Sequence, residues 1–194
     1  MQDQIGKEND NFCLIALGAN LPGATGDTAK NLIYSLRLIE AAGIRITNQS
    51  HWYATPAYPK ESGPDFINAV VRAETNLDAP AILHHLHDIE AQMGRTRDLR
   101  WGARICDLDL LSWNDCILPN LETFEYWRNL PFARQTKETP TELILPHPRI
   151  QDRGFVLVPL AEILPDWVHP VLGKTAKAMR DALPKATLQE IRPI

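Results

Sequence analysis

Cysteine is scarce in this chain, and what there is excludes two common scaffolds. Cys13, Cys106 and Cys116 are odd in number and show no C-x-x-C spacing, which argues against a disulfide framework and against a structural zinc site. Long apolar runs are missing too. Nothing approaches the ~18 residues that a membrane span needs, and the first twelve residues are polar and acidic, without the apolar core of a signal peptide. A cytoplasmic protein is the expectation. There is no basic surplus: 20 Lys and Arg stand against 24 Asp and Glu, a net charge of −4, so nucleic-acid binding by bulk charge is not expected. No G-x-S-x-G occurs, and G-A-T-G-D-T-A-K at 23–30 lacks the G-K-[ST] ending that sets a P-loop lysine on a phosphate.

What is present reads as one folded unit. With 194 residues the chain can build one sizeable core and hardly two. Residues 1–11 read as a flexible leader and 12–194 as a single domain. Phe12 to Leu17 is an apolar strand ending in the turn Gly18-Ala19-Asn20. Thr28 can N-cap a helix carrying Leu32, Ile33, Leu36 and Ile39 at helical spacing, and Gly43 ends it. Ile44 to Thr55 reads as a second strand broken at Pro56, followed by a loop to Asp65. Phe66 to Thr75 alternates, with Asn68, Val70 and Arg72 on one face and Ala69, Val71 and Ala73 on the other. Asp78 caps a second helix with Pro80 in its first turn and the stripe Ile82, Leu83, Leu86, Ile89 and Met93, closed by Gly94. A strand through Asp107 and Asp109 completes the order β-α-β-β-α-β. The predicted class is α+β: a ferredoxin-like core, an antiparallel sheet with helices packed on its faces. Residues 118–142 read as an insertion after that strand, helical around Leu121 to Arg128 and too long for a plain loop. An extended piece follows over Leu143 to Pro148. Helices are predicted over Gly154 to Leu164, despite Pro159, and over Thr175 to Leu183.

The chemistry concentrates in R-W-G-A-R-I-C-D-L-D at 100–109. A strand has a side-chain period of two, so Asp107 and Asp109 share one face while Cys106, Leu108 and Leu110 take the other. Two acids on an otherwise apolar strand are costly unless something cationic meets them. Hard oxygen ligands at this spacing suit Mg²⁺ held jointly with substrate phosphates. Arg95, Arg97, Arg100 and Arg104 precede them, and arginine forks match phosphate oxygens. Trp101 offers a flat face for a planar ring. The plainer alternative is a solvated edge strand beside a basic loop. A third cluster is Pro146-His147-Pro148-Arg149 followed by Arg153-Gly154-Phe155, where prolines fix the direction of His147. Read without the rest, it is a structural turn. His84 and His87 share a helix face, but no H-E-x-x-H spacing accompanies them, so a solvated or half-buried face is expected rather than a transition-metal site. Cys106, facing away from the acids, reads as core.

Taken in order, L-G-A-N (17–20), Y-A-T-P (53–56), D-F-I-N-A-V (65–70), I-E-A-Q-M-G-R (89–95), R-W-G-A-R-I-C-D-L-D (100–109) and P-H-P-R-I-Q-D-R-G-F-V-L-V-P-L (146–160) closely resemble 6-hydroxymethyl-dihydropterin pyrophosphokinase of folate biosynthesis. The resemblance implies transfer of pyrophosphate from ATP to the hydroxymethyl of a reduced pterin, with release of AMP. It implies two Mg²⁺ ions on Asp107 and Asp109, and catalytic roles on phosphates for Arg95 and Arg104. His87, Arg97, Trp101, Leu110, His147 and Arg153 would bind ATP. Thr55, Pro56, Phe66, Asn68, Trp101 and Phe155 would bind the pterin, its ring lying between Phe66 and Phe155. Arg97 and Trp101 would belong to a loop that closes over both substrates. This chain departs from the pattern at Phe66, where some members carry tyrosine, at His87, where glutamine is frequent, and in the longer insertion. A monomer without nucleic-acid or membrane partners is expected. The rival readings are a DxD nucleotide-sugar transferase, which the strand order disfavours, and a non-catalytic ferredoxin-like module that binds nucleotide or protein, which would have little need for paired metal ligands.

Overall fold

The structure, a computed structural model, describes residues 11–23, 26–57, 63–94, 104–135 and 137–194. The leader before Asn11 and the arginine loop before Arg104 therefore lie outside the described residues, and with them Arg95, Arg97, Arg100 and Trp101.

β1 (Phe12–Ala19), α1 (Thr28–Ala41), β2 (Arg45–Gln49), β3 (Tyr53–Thr55), β4 (Phe66–Glu74), α2 (Ala79–Gln92) and β5 (Asp107–Trp113) give the predicted order. All strand pairings are antiparallel, with β5-β1-β4-β3 side by side and β2 also on β4. The single strand expected over Ile44 to Thr55 is in fact two. Ser50 lies between them: its N–H donates to the Val70 carbonyl at 3.0 Å, and its hydroxyl accepts from the Val70 N–H at 3.1 Å. A side-chain oxygen thus completes the ladder where the backbone leaves it, and no periodicity in the sequence reports such an exchange. A second correction concerns the first helix. Asp27, not Thr28, is its N-cap, accepting from the Ala29 and Lys30 N–H groups at 2.9 and 3.2 Å. Asp78 caps α2 as expected, through the Ala81 N–H.

The insertion forms α3 (Leu121–Arg128) and the short α4 (Phe132–Gln135). After a 3₁₀ turn at Ile150–Asp152 come α5 (Gly154–Ile163), α6 (Ala176–Asp181) and α7 (Lys185–Gln189), and then β6 (Arg192–Pro193), which pairs with β3. Neither α7 nor β6 was legible in the sequence, because elements this short carry no period.

The helices lie on both faces of the sheet. One core packs Ile15, Leu17, Val71 and Ala73 with Leu32, Ile39, Ile82 and Leu86 of α1 and α2. The other packs Leu14, Ala16, Val70 and Leu111 with Val156, Leu157 and Leu160 of α5 and Met179 of α6. Strand alternation sorts β1 and β4 between the two cores residue by residue. Cys13 and Cys106 are fully buried and all three cysteines are free thiols, as their spacing suggested. Among the described residues, no helix is long and apolar enough to cross a membrane.

Candidate active site

The second core ends at Ala16, Val70 and Leu111, and the next cross-strand row is polar. In that row Asp107 of β5 stands opposite Gly18 of β1, Gly18 opposite Asn68 of β4, and Asn68 opposite Tyr53 of β3. Strands lie ~4.8 Å apart, so Asp107 and Asn68 are separated by roughly 10 Å across one glycine. A Cβ at Gly18 would sit 2.9 Å from Asn68 Oδ1 and 4.0 Å from both Asp107 Cβ and Phe66 Cδ1. Glycine is required here for clearance; any side chain would fill the hollow between the acid and the amide.

At the amide end, Asn68 is buried and its Nδ2 donates to Thr55 Oγ1 at 2.7 Å. Phe66 lies two residues before it on the same face, opposite Thr55. Phe155 is exposed on the first turn of α5, the helix that covers β4. At the acid end, Arg104 donates to Asp107, and Arg153 Nη1 donates to Asp109 Oδ2 at 3.0 Å. The Arg153 guanidinium also lies 5.6 Å from the centre of the Phe155 ring, so one cation joins the carboxylate end to the aromatic end. Desolvation opposes the charged form of Asp109, but His147, Arg153 and Arg104 outweigh it and hold the carboxyl below its usual range. The acid is therefore ionised at neutral pH.

β5 is the outer strand of the sheet on this side, and its outward backbone groups need partners. Two of them are taken by residues that matter to the site. The Leu108 N–H donates to buried Glu90 of α2 at 2.8 Å, and the Leu111 carbonyl accepts from the His147 N–H at 2.7 Å. The second bond seats the P-H-P-R segment beside Asp109. His147 Nδ1 in turn accepts from the Arg149 N–H at 3.1 Å, which leaves the proton of a neutral ring on Nε2. Burial first, and then the charge of Arg153, push the His147 pKa down to about 4, so the ring is neutral at neutral pH. The Arg149 guanidinium donates to the Trp127, Arg128 and Leu130 carbonyls at 2.8, 2.7 and 3.3 Å. These carbonyls lie at and just past the C-terminus of α3, so Arg149 fastens the insertion to the His147 segment.

Most of the described candidates are thus gathered on one face: Thr55, Phe66, Asn68, Arg104, Asp107, Asp109, His147, Arg153 and Phe155. Pro56 follows Thr55 at the end of β3. His87 is half-buried on α2. Leu110 differs: it is buried in the first core, with its side chain on the opposite face, which leaves only its backbone available to a nucleotide. His84 pairs with Asp88 at 3.4 Å on the exposed side of α2, in keeping with a solvated face. Two positioning residues escaped the sequence reading. Asn20 accepts from the Arg104 N–H at 2.7 Å, while its own N–H donates to the Arg104 carbonyl at 2.9 Å, clamping that arginine to the end of β1. Glu90 is the other, and it did leave a signal: an acid four residues after Leu86, on the apolar stripe of α2.

Similarity to known proteins points the same way as this geometry. The family model for 7,8-dihydro-6-hydroxymethylpterin-pyrophosphokinase (HPPK) matches residues 14–165. The 2-amino-4-hydroxy-6-hydroxymethyldihydropteridine pyrophosphokinase of Synechocystis is 40% identical over 162 residues, 84% of this chain and 71% of that protein. Its counterpart of the same name in Bacillus subtilis is 36% identical over 155 residues, 79% of this chain and 78% of its own. A Plasmodium falciparum HPPK-DHPS structure superposes on 95% of this chain with a TM-score of 0.67 at 18% identity, a likeness of fold in which this chain spans 45% of the other. With the family match running from β1 through α5 and the paired acids, clamped arginines and buried amide all in place on one face, the chain belongs to the 7,8-dihydro-6-hydroxymethylpterin-pyrophosphokinase family.

Proposed function

We propose that the row from Asp107 to Asn68, with Phe66 and Thr55 beside it, is where this pyrophosphokinase works, moving the pyrophosphoryl group of ATP to the hydroxymethyl of 6-hydroxymethyl-7,8-dihydropterin and releasing AMP. The observation that carries the reading is Gly18, with a carboxylate on one neighbouring strand and a buried amide on the other. The phosphates go to the acid end and the ring to the amide end, so the reacting hydroxyl and phosphorus meet over the glycine.

Asp107 and Asp109 suit Mg²⁺, with two ions expected. Among the described residues no three His, Cys, Asp or Glu side chains converge on one point. A pair of carboxylates that relies on phosphate oxygens to complete the shell is the usual arrangement for this ion. When bound, Mg²⁺ neutralises phosphate charge and polarises the phosphorus under attack. Arg104 and Arg153, already beside the two acids, present their forks to phosphate oxygens. His147 offers a neutral Nε2–H donor to the nucleotide. Asn68, held by Thr55, reads the polar rim of the pterin, while Phe66 and Phe155 cover its apolar faces beside the Thr55-Pro56 backbone. In this reading Arg95 acts on the phosphates with Arg104, and Arg97 and Trp101 contact the substrates. Such a transfer asks a protein chiefly for positioning and charge neutralisation. The reading includes a monomeric, cytoplasmic enzyme.

Mass spectrometry of protein, ATP, Mg²⁺ and 6-hydroxymethyl-7,8-dihydropterin, with EDTA and pterin-free controls, tests it. AMP and the pterin diphosphate should appear together, and only with metal and pterin present. ADP, or no turnover despite ATP binding, would overturn the assignment.

A further inference from the structure

The last ten residues lie beyond the stretch that matches the family, yet they return to the site. β6 pairs with β3, aligning Arg192 with Ala54 and Pro193 with Tyr53, and the Ile194 N–H donates to the Trp52 carbonyl at 2.9 Å. The same segment presses on the start of α5. A Cβ placed on Gly154 would lie 2.7 Å from Ile191 Cδ1 and 2.8 Å from Thr187 Cγ2. The segment therefore braces both sides of the ring subsite at once: the Thr55-Pro56 edge through β3, and Phe155 through its neighbour Gly154. Beside the Pro56 edge lies an open cavity of about 370 Å³ lined by Pro56, Ala57 and Asp65, from the connection between β3 and β4, and by Gln189, Glu190 and Arg192 from the chain end. Two carboxylates, an amide and a guanidinium beside apolar Pro56 and Ala57 suit the rim of a flat heterocycle that carries both donors and acceptors.

We infer that residues 185–194 form the outer wall of the pterin subsite and set its selectivity, acting as a positioning element for Phe155 and the Thr55-Pro56 edge. This rests on the placement of the pterin proposed above. The segment pairs with β3 and packs on Gly154, on the ring side of the row, so its effect should fall chiefly on the pterin.

The test compares the full chain with a chain truncated after Pro184, and with Gly154→Ala and Arg192→Ala in the full chain. Turnover gives KM for each substrate, and fluorescence titration with 6-hydroxymethylpterin gives ring affinity directly. Truncation should raise the pterin KM and the 6-hydroxymethylpterin Kd by about ten-fold, with the KM for ATP moving less than about two-fold. If the truncated chain does not fold, Gly154→Ala decides, because its Cβ displaces Ile191 and Thr187 without removing them. A pterin-selective rise of about three-fold or more is expected there, and a smaller one for Arg192→Ala. Folded variants with unchanged pterin KM, or with equal rises for both substrates, would overturn the inference. A wild-type protein that neither turns over nor binds the pterin would instead overturn the reading on which it rests.

Discussion

The two faces of the sheet are made by the same strands, yet they are built for different ends. On the first, Ile15, Leu17, Val71 and Ala73 meet α1 and α2 in an apolar layer that runs along β1 as far as Ala19. On the second, the apolar layer stops at Ala16 and Val70, and the row beyond it holds Asp107, Gly18, Asn68 and Tyr53. The difference shows how an alternating strand can serve stability and chemistry together. The first face anchors the backbone, and the rigid backbone then holds acid, glycine and amide in register on the other side. Each polar residue of the second face is tied by a specific partner, as Asn68 is to Thr55 and Asp109 to Arg153, where the first face needs only packing.

The sharpest way to break this contrast is one substitution on each face. Asp107→Ala should lower turnover by about three orders of magnitude if, as proposed, Asp107 helps to hold Mg²⁺, while circular dichroism and thermal unfolding stay near wild type. Near-normal AMP production would remove Asp107 from the site. Leu86→Ala, on the first face, should do the reverse. It should cost about 3 kcal/mol of stability, measured by urea unfolding, and leave KM for both substrates intact in the folded fraction.

Acid should act through the second layer. His169 is fully buried there between Phe124 and Trp167, with ring centres 5.8 and 5.7 Å away, and burial pushes its pKa down to about 4. His147 is lowered to the same value. Unfolded histidines titrate near 6.5, so between about 6.5 and 4 the unfolded chain binds more protons than the folded one. The stabilisation is complete above pH 6.5, declines as the pH falls, and is gone by about 4. Unfolding free energies taken across this window should show a loss on the order of 3 kcal/mol for His169, and His169→Gln should remove that share of the slope and leave the part due to His147. An unchanged slope in the variant would mean that His169 is not the group titrating.

Smaller effects separate the two ends of the site itself. Asn68→Ala should weaken pterin binding by about ten-fold, roughly one buried hydrogen bond, with little change for ATP, as read by titration of each ligand. Equal losses would put the ring elsewhere. Arg149→Ala should remove one donor each from the Trp127, Arg128 and Leu130 carbonyls, lowering stability by about 1 kcal/mol and raising the KM for ATP a few-fold, and Arg149→Lys should restore only part of both.

The amino-acid sequence by itself determined the β-α-β-β-α-β order up to β5, short of the break between β2 and β3, the caps and stops of α2, the common face of Asp107 and Asp109, and the coincidence of arginines with those acids. These follow from period, capping chemistry and charge, which are local. What only the tertiary structure decided is non-local. The Ser50 hydroxyl standing in a ladder opposite Val70, Glu90 and His147 satisfying the outer edge of β5, Asn20 clamping Arg104, and the chain end returning through β6 to the edge of β3 all join residues far apart along the chain. Each answers a need that arises only once strands are paired: a backbone donor or acceptor with no neighbour, or a glycine hollow that exists only between two adjacent strands. No window of sequence contains both halves of such a contact, so periodicity could locate the acids and the amide but not the distance between them.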